Sequence, residues 1–262
     1  MSDERFTALI EENGRVHIIR IFDESVKVKG IGVFNPSKML EDVNDGEEVQ
    51  IGAKIFTRLP PRLPELFQGM KRRAQTIGSK DAGVLIARLG IGPGDVVLEA
   101  GLGSAGQAMH LARVMGASGH LITVEPREEH SSVGLENLQL LAQALPEFPN
   151  HTHIHGTIEE SREKIESISN EVDAILLDLP EHPAAIKSVA HLLKVGARLS
   201  CYCPVSSQLE QAWIACEESG LEIEWAGEVI EREWGKASKG GVRPVNGPFG
   251  HTAFLLIAHR RT

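Results

Sequence analysis

The sequence predicts an α/β protein, a mostly parallel sheet with helices on both faces, preceded by a small β-rich N-terminal domain. Three observations carry this. From Asp81 onward, apolar runs of strand length alternate with amphipathic segments of helical length. Before that, residues 1 to about 60 hold only short alternating or β-branched runs, separated by Gly, Asn and Asp. Between the two, Val96-Val-Leu-Glu-Ala100 runs straight into Gly101-Leu-Gly-Ser-Ala-Gly106 and then an amphipathic stretch. A strand, a glycine turn and a helix in that order form the ligand-binding edge of such sheets.

Taken in order, Arg15–Phe22, Ser25–Lys29 and Val49–Phe56 read as strands of a small barrel or sandwich. Arg58-Leu-Pro-Pro-Arg-Leu-Pro64 breaks the pattern as a linker. Asp81–Leu89 is helical and stops at Gly90-Ile-Gly-Pro-Gly94. Strands are expected at 96–100, 121–125, 152–155, 172–177 and 198–203. Helices are expected at 107–115, 131–145, from near Ile158, at 184–193 and at 207–219. Extended runs at 221–229 and 252–259 predict an antiparallel terminal hairpin.

At 262 residues the chain has room for one large domain and one small one. Its 42% hydrophobic and 24% charged residues describe an ordinary soluble protein, and no run approaches the ~18 apolar residues of a membrane span. No apolar segment of signal-peptide kind follows Met1-Ser-Asp-Glu-Arg5, and three cysteines make no disulfide framework, so a cytoplasmic setting is expected. The net charge of −9 is a poor background for phosphate binding. Basic residues nevertheless cluster at Arg58, Arg62, Lys71, Arg72, Arg73 and Lys80, and again at Arg232, Lys236, Lys239 and Arg243. Solvated faces and nucleic-acid contacts are both open for them.

The glycine turn offers bare backbone amides at a positive helix end. Glu125 closes the next strand, 19 residues after Gly106, where it can take both hydroxyls of a ribose. The site is therefore built for a nucleoside. Glu99, two residues before Gly101, would repel a pyrophosphate but suits an ammonium. This E-x-G-x-G followed by a later acid resembles motifs I and II of the S-adenosylmethionine-dependent methyltransferases. Asp178 ends the apolar run Ala174-Ile-Leu-Leu-Asp178, where an acid is costly unless hydrogen-bonded or functional. Capping the following helix is its alternative role.

Four segments in order make the resemblance specific. They are Lys71-Arg-Arg-Ala-Gln-Thr-Ile-Gly-Ser-Lys-Asp-Ala82, Asp178-Leu-Pro-Glu181, Arg243-Pro244 and Gly250-His-Thr-Ala-Phe254. Together they resemble the tRNA adenine-N1 methyltransferases that act on the T-loop. The resemblance implies a Rossmann-like class I methyltransferase sheet and transfer from S-adenosyl-L-methionine to N1 of a tRNA adenine. It also implies a homotetramer. Domains are expected over 1–62 (β-rich), 63–80 (linker and cofactor-covering segment) and 81–262 (catalytic). It implies Asp178 as the catalytic residue. The cofactor would be held by Gln75, Glu99, Gly101, Leu102, Gly103, Ser104, Ala105, Gly106, Glu125, Pro126, Thr157, Ile158 and Asp178. Substrate contacts would come from Arg72, Arg73, Lys80, Arg243 and His251.

Simpler roles exist for some of these: a surface amide for Gln75, a helix cap for Asp81, an oriented structural imidazole for His251. His151, His153 and His155 share a strand face, but no neighbouring acid or cysteine completes a ligand set, so no metal is expected. The chain departs from the family pattern in several places. Its third motif I glycine comes one place late, leaving Ala105, and Gly78-Ser79 replaces the usual Tyr-Pro. Gly156-Thr157-Ile158 lacks the acid for the cofactor's adenine amine, with Thr157 or Glu159 as substitutes. His182-Pro183 follows Glu181 where Pro and an aromatic are usual. A small-molecule methyltransferase and a non-catalytic tRNA-binding paralogue fit the same fold.

Overall fold

The computed structural model describes residues 5–238, 240–245 and 250–262, so Lys239 of the second basic cluster lies outside the described residues. The N-terminal part contains β1 (Arg5–Glu11), β2 (Val16–Ile21), β3 (Val26–Val28), β4 (Gly32–Phe34), α1 (Pro36–Met39), β5 (Glu48–Ile51) and β6 (Lys54–Leu59). Four of these strands form an antiparallel sheet in the order β2-β1-β6-β5, with β3–β4 a separate ribbon, so the expected barrel or sandwich is an open sheet. Leu9, Ile19, Val49, Ile51 and Phe56 make its core.

Strand β1 is central and its consecutive Thr7, Ala8 and Leu9 are all buried, so it lacks the alternation that marks a half-buried strand. The single strand expected at Val49–Phe56 is a hairpin, turned at Gly52 with φ +63°. Residues expected as linker form β6 up to Leu59 and then α2 (Leu63–Gly69), for which Pro64 is a helix-starting residue.

The larger part follows the predicted alternation. It runs α3 (Ser79–Leu89), β7 (Val96–Ala100), α4 (Gly106–Met115), β8 (His120–Glu125), α5 (Glu128–Ala144), β9 (Asn150–His155), α6 (Arg162–Ile168) and β10 (Val172–Leu177). Then come α7 (Pro183–Val189), β11 (Leu193–Cys203), α8 (Ser206–Glu218), β12 (Glu222–Gly227), β13 (Trp234–Lys236), β14 (Val242–Pro244) and β15 (Phe254–His259). The helix expected to reach residue 193 gives way to a short 3-10 turn at Ala190–Leu192, and β11 starts five residues before the expected 198. The helix expected from Ile158 begins at Arg162. The terminal strands pair antiparallel as expected, but a β13–β14 ribbon with Trp234 exposed is inserted between them.

The seven-stranded sheet has the order β12-β15-β11-β10-β7-β8-β9, parallel except for the pairings of β15. The chain leaves β7 to one side for β8 and β9 and returns on the other side at β10. That reversal opens a crevice at the carboxyl end of β7, where such sheets bind ligands. Alternation along the strands divides the core. Leu98, Ala100, Ile122 and Val124 face one helical layer, while Val97, Leu121, Ala174 and Leu176 face α3 and α4. The same alternation turns Glu99, Thr123 and Glu125 toward α4.

Candidate cofactor and acceptor site

Each glycine of the turn after β7 answers a different steric demand. At Gly101 φ is +93°, and a Cβ there would lie 2.0 Å from the Asp178 carbonyl oxygen. The two segments are stitched together, since the Asp178 amide donates to the Ala100 carbonyl at 2.9 Å. Gly103, at φ +52°, donates its amide to Glu125 Oε2 at 3.0 Å. A Cβ on Gly106 would meet Thr76 Cβ at 2.8 Å and the Ile77 carbonyl at 3.0 Å, because the chain before α3 crosses the start of α4. Ala105, standing where the family has glycine, adopts the left-handed conformation at φ +64° as the N-cap of α4.

The crossing segment is held down by two residues. Ser104 Oγ accepts from the Arg73 and Ala74 amides at 2.9 and 3.0 Å. Asn137 of α5 donates Nδ2 to the Lys71 and Ser104 carbonyls at 2.8 and 2.9 Å and accepts the Lys71 amide at 3.0 Å. Asn137 was not identified from sequence. The available signal was a polar residue on the buried stripe of α5 with Gly134, Leu138 and Leu141. Asn137→Ala removes three bonds at once and is expected to cost about 2–3 kcal/mol in urea unfolding, given ~1 kcal/mol per buried bond.

Three carboxyl groups meet at the crevice. Glu99 is buried, and burial followed by the Asp178 charge pushes it well above the usual carboxylate range, against the favourable Ala108 amide. Glu125 is fully buried, which alone would raise it, yet the Arg127 side chain and the Gly103 and Arg127 amides hold it below the ordinary value. Arg127 Nε lies 2.8 Å from Glu125 Oε1. Asp178 is pushed up to about 7 by burial and by the Glu125 charge, with Arg127 opposing. Arg127 escaped the sequence reading because nothing in the primary structure says that a residue two places beyond Glu125 folds back on it. Tyr202, on the β11 side of the crevice, is pushed up to about 12 by burial and by the charges of Asp81 and Asp178.

The other expected residues are distributed less simply. Gln75 and Pro126 are exposed, while Leu102 and Ile158 lie in the two apolar cores. Thr157 Oγ1 accepts the Glu160 amide at 3.3 Å, capping the turn before α6. Lys80 points inward to Thr252 Oγ1 at 2.9 Å and Asp81 Oδ1 at 3.2 Å. His251 donates from Nδ1 to Glu228 at 2.7 Å and from Nε2 to the Pro204 carbonyl at 3.1 Å. Both partners are acceptors, and they raise the ring's pKa, Glu228 first and then the Pro204 carbonyl. Arg72 lies 5.7 Å above the Phe67 ring, and Arg73 and Arg243 are exposed, the latter on the β13–β14 ribbon. Within the first basic cluster, Arg58 is tied to the Leu40 carbonyl and Asp45, and Lys71 to Glu136, which leaves Arg62, Arg72 and Arg73 facing solvent. The strand histidines flank Thr123, whose hydroxyl lies 2.9 Å from His151 Nε2 and 3.0 Å from His153 Nδ1.

Comparison with known proteins agrees with this architecture. A family model described as tRNA methyltransferase complex GCD14 subunit matches residues 56–239. The TrmI tRNA (adenine(57)-N(1)/adenine(58)-N(1))-methyltransferase of Methanocaldococcus jannaschii is 29% identical, over 97% of this chain and 94% of its own. The tRNA (adenine(58)-N(1))-methyltransferase TrmI of Thermus thermophilus is 32% identical, over 76% of this chain and 75% of its own. Among solved structures, a SAM-dependent O-methyltransferase from Thermotoga maritima superposes with a TM-score of 0.80 at 25% identity, covering 99% of this chain and 94% of that one. The tRNA (m1A58) methyltransferase TrmI of Aquifex aeolicus gives a TM-score of 0.70 at 20% identity, covering 97% and 96%, and so supports the fold. From the crevice, its three acids and these matches, the chain belongs to the tRNA methyltransferase complex GCD14 subunit family.

Proposed function

We propose that this protein transfers a methyl group from S-adenosylmethionine to N1 of an adenine in the tRNA T-loop, the position-58 adenine in the names of its relatives. The observation that carries the proposal is Asp178, stitched to the glycine turn at the crevice floor beside Glu99 and Glu125. The residues present suit the cofactor. Gly101 and Gly103 leave backbone free of side chain, Glu125 is a preset ribose acceptor, and the buried Glu99 Oε2 has no partner among the described residues. When bound, S-adenosylmethionine supplies an electrophilic methyl group on a sulfonium.

Neutral adenine already carries a lone pair at N1, so no base must first remove a proton. Methyl transfer to that lone pair would release a neutral thioether and leave positive charge on the purine. Asp178, as carboxylate, would accept from the exocyclic amine, orienting N1 toward the methyl donor and stabilising the developing cation. The base must leave its stack to reach the crevice, at a cost of a few kcal/mol. Arg72 and Arg73, on the segment clamped by Ser104 and Asn137, are assigned to the phosphates beside that base. The homotetramer implied by the resemblance and the cytoplasmic setting expected from the signal and cysteine reading belong to the same proposal. No helix among the described residues is long and apolar enough to cross a membrane.

A titration of tRNA affinity against salt tests the acceptor class. Affinity is expected to fall steeply with salt, and the Arg72→Ala, Arg73→Ala double variant to flatten the log–log slope by about 0.7–0.9 for each phosphate it no longer neutralises. Salt-independent or undetectable tRNA binding would favour a small-molecule acceptor instead. An unchanged slope in the double variant would remove those arginines from the assignment.

A further inference from the structure

The first turn of α4 holds buried polar atoms that the acids and glycines do not use. Gln107 is 3% exposed, and neither its amide oxygen nor its amide nitrogen has a hydrogen-bond partner among the described residues. Glu99 is also 3% exposed, with Oε2 equally unpartnered and the Ala108 amide next to its carboxyl. With about 3.6 residues per helical turn, Gln107 shares its side of α4 with His110 and Leu111. His110 Nε2 lies 3.1 Å from Ser79 Oγ at the start of α3, so Gln107 faces the seam between the first turns of α3 and α4. Alternation along β7 turns Glu99 to the same helices, since Val97 packs in the core that α4 shares. Two buried side chains with unpartnered polar atoms therefore lie on the strand and the helix that flank the glycine turn.

Burying an amide without partners is unfavourable, and a leucine would fill the position without that cost. The pair is explained by a ligand carrying both a donor and an acceptor. We propose that Gln107 recognises the carboxylate of the cofactor's amino-acid head, donating from its amide nitrogen beside the ammonium accepted by Glu99. This rests on the S-adenosylmethionine reading given above. A neutral amide suits the place: a lysine or arginine would bind the carboxylate but oppose the attraction of Glu99, Glu125 and Asp178 for the sulfonium. Gln107 then sets specificity for an intact zwitterionic head over one that has lost its carboxylate.

The test is calorimetry on the full chain and on Gln107→Leu with three ligands. These are S-adenosylmethionine, its decarboxylated analogue, and 5′-methylthioadenosine, which has no amino-acid head. Wild-type protein is expected to prefer S-adenosylmethionine to the decarboxylated analogue. Gln107→Leu is expected to lose about tenfold or more in affinity for S-adenosylmethionine, the worth of a hydrogen bond to a charged group. Its affinity for the other two ligands should be unchanged and its melting temperature raised, because a buried unsatisfied amide has gone. Full retention of S-adenosylmethionine affinity would overturn the assignment. So would an equal loss for all three ligands, or a lowered melting temperature, since either marks a merely structural residue. Wild-type protein that bound none of the three would overturn the cofactor reading along with it.

Discussion

Asp178→Ala is expected to lower kcat for methyl transfer by about 10²–10³, the usual effect of removing one preorganised electrostatic contact to a developing charge. Cofactor affinity should change far less, because the contacts assigned to ribose and ammonium lie on Glu125 and Glu99. The ionised form is the one that accepts from the adenine amine, and its pKa is about 7. kcat/KM for the wild type should therefore rise about tenfold per pH unit below that value and level off above it. Stability should move the opposite way. Folding raises the carboxyl above its ordinary 3.8, so between there and about 7 the folded state binds more protons and stability falls as pH rises. Asp178→Asn should accordingly melt above the wild type at pH 8, with the gap closing toward pH 4. Stability and rate would then respond in opposite directions to one charge, a combination that a purely structural aspartate would not give. Wild-type-like transfer by Asp178→Ala would remove it from the mechanism.

Gly101→Ala is expected to be the most damaging small substitution in the chain. Its φ of +93° lies outside what alanine tolerates well, and the new Cβ would stand 2.0 Å from a backbone oxygen that cannot rotate away. Left-handed strain of ~1–2 kcal/mol and overpacking of ~1–3 kcal/mol together predict a loss of about 3 kcal/mol or more. Relief of the clash would shift Asp178, so whatever folds should transfer poorly. Gly103→Ala is the control. At φ +52° its Cβ would meet nothing closer than Ala74 Cβ, at an ordinary 3.5 Å, so a loss of about 1 kcal/mol is expected. Equal losses for the two variants in chemical unfolding would contradict the steric account.

The parts of the site legible in the sequence are those set by strand ends and glycines. β7 and β10 fall where expected, at 96–100 and 172–177, because buried parallel strands are written as short apolar runs between polar residues. Glu99, Glu125 and Asp178 could be placed along one edge for the same reason. The sequence could not show how the acids are tuned. The Glu125 charge on Asp178 depends on strands brought together only by the sheet's reversal at β7, Arg127 reaches Glu125 by a local fold-back, and Gln107 is left unpartnered by the packing around the first turn of α4. Asn137 is similar: a polar residue on a buried stripe announces a need, but not that Lys71, 66 positions away, meets it. β1 stayed hidden because a strand covered on both faces carries no alternation. The late third glycine is the reverse case. It read as a departure from the family pattern, and the fold absorbs it by letting Ala105 take the left-handed position while Gly106 provides clearance for Thr76 and Ile77.

In the proposed reaction the crevice methylates N1 of one T-loop adenine. The direct measurement is to incubate the full chain with unmodified tRNA and methyl-labelled S-adenosylmethionine, then digest the RNA and map the label by nucleoside mass spectrometry. The expected product is 1-methyladenosine confined to the T-loop, formed by the wild type and nearly absent with Asp178→Ala. Label on another base or atom, or equal yields from the two proteins, would contradict it.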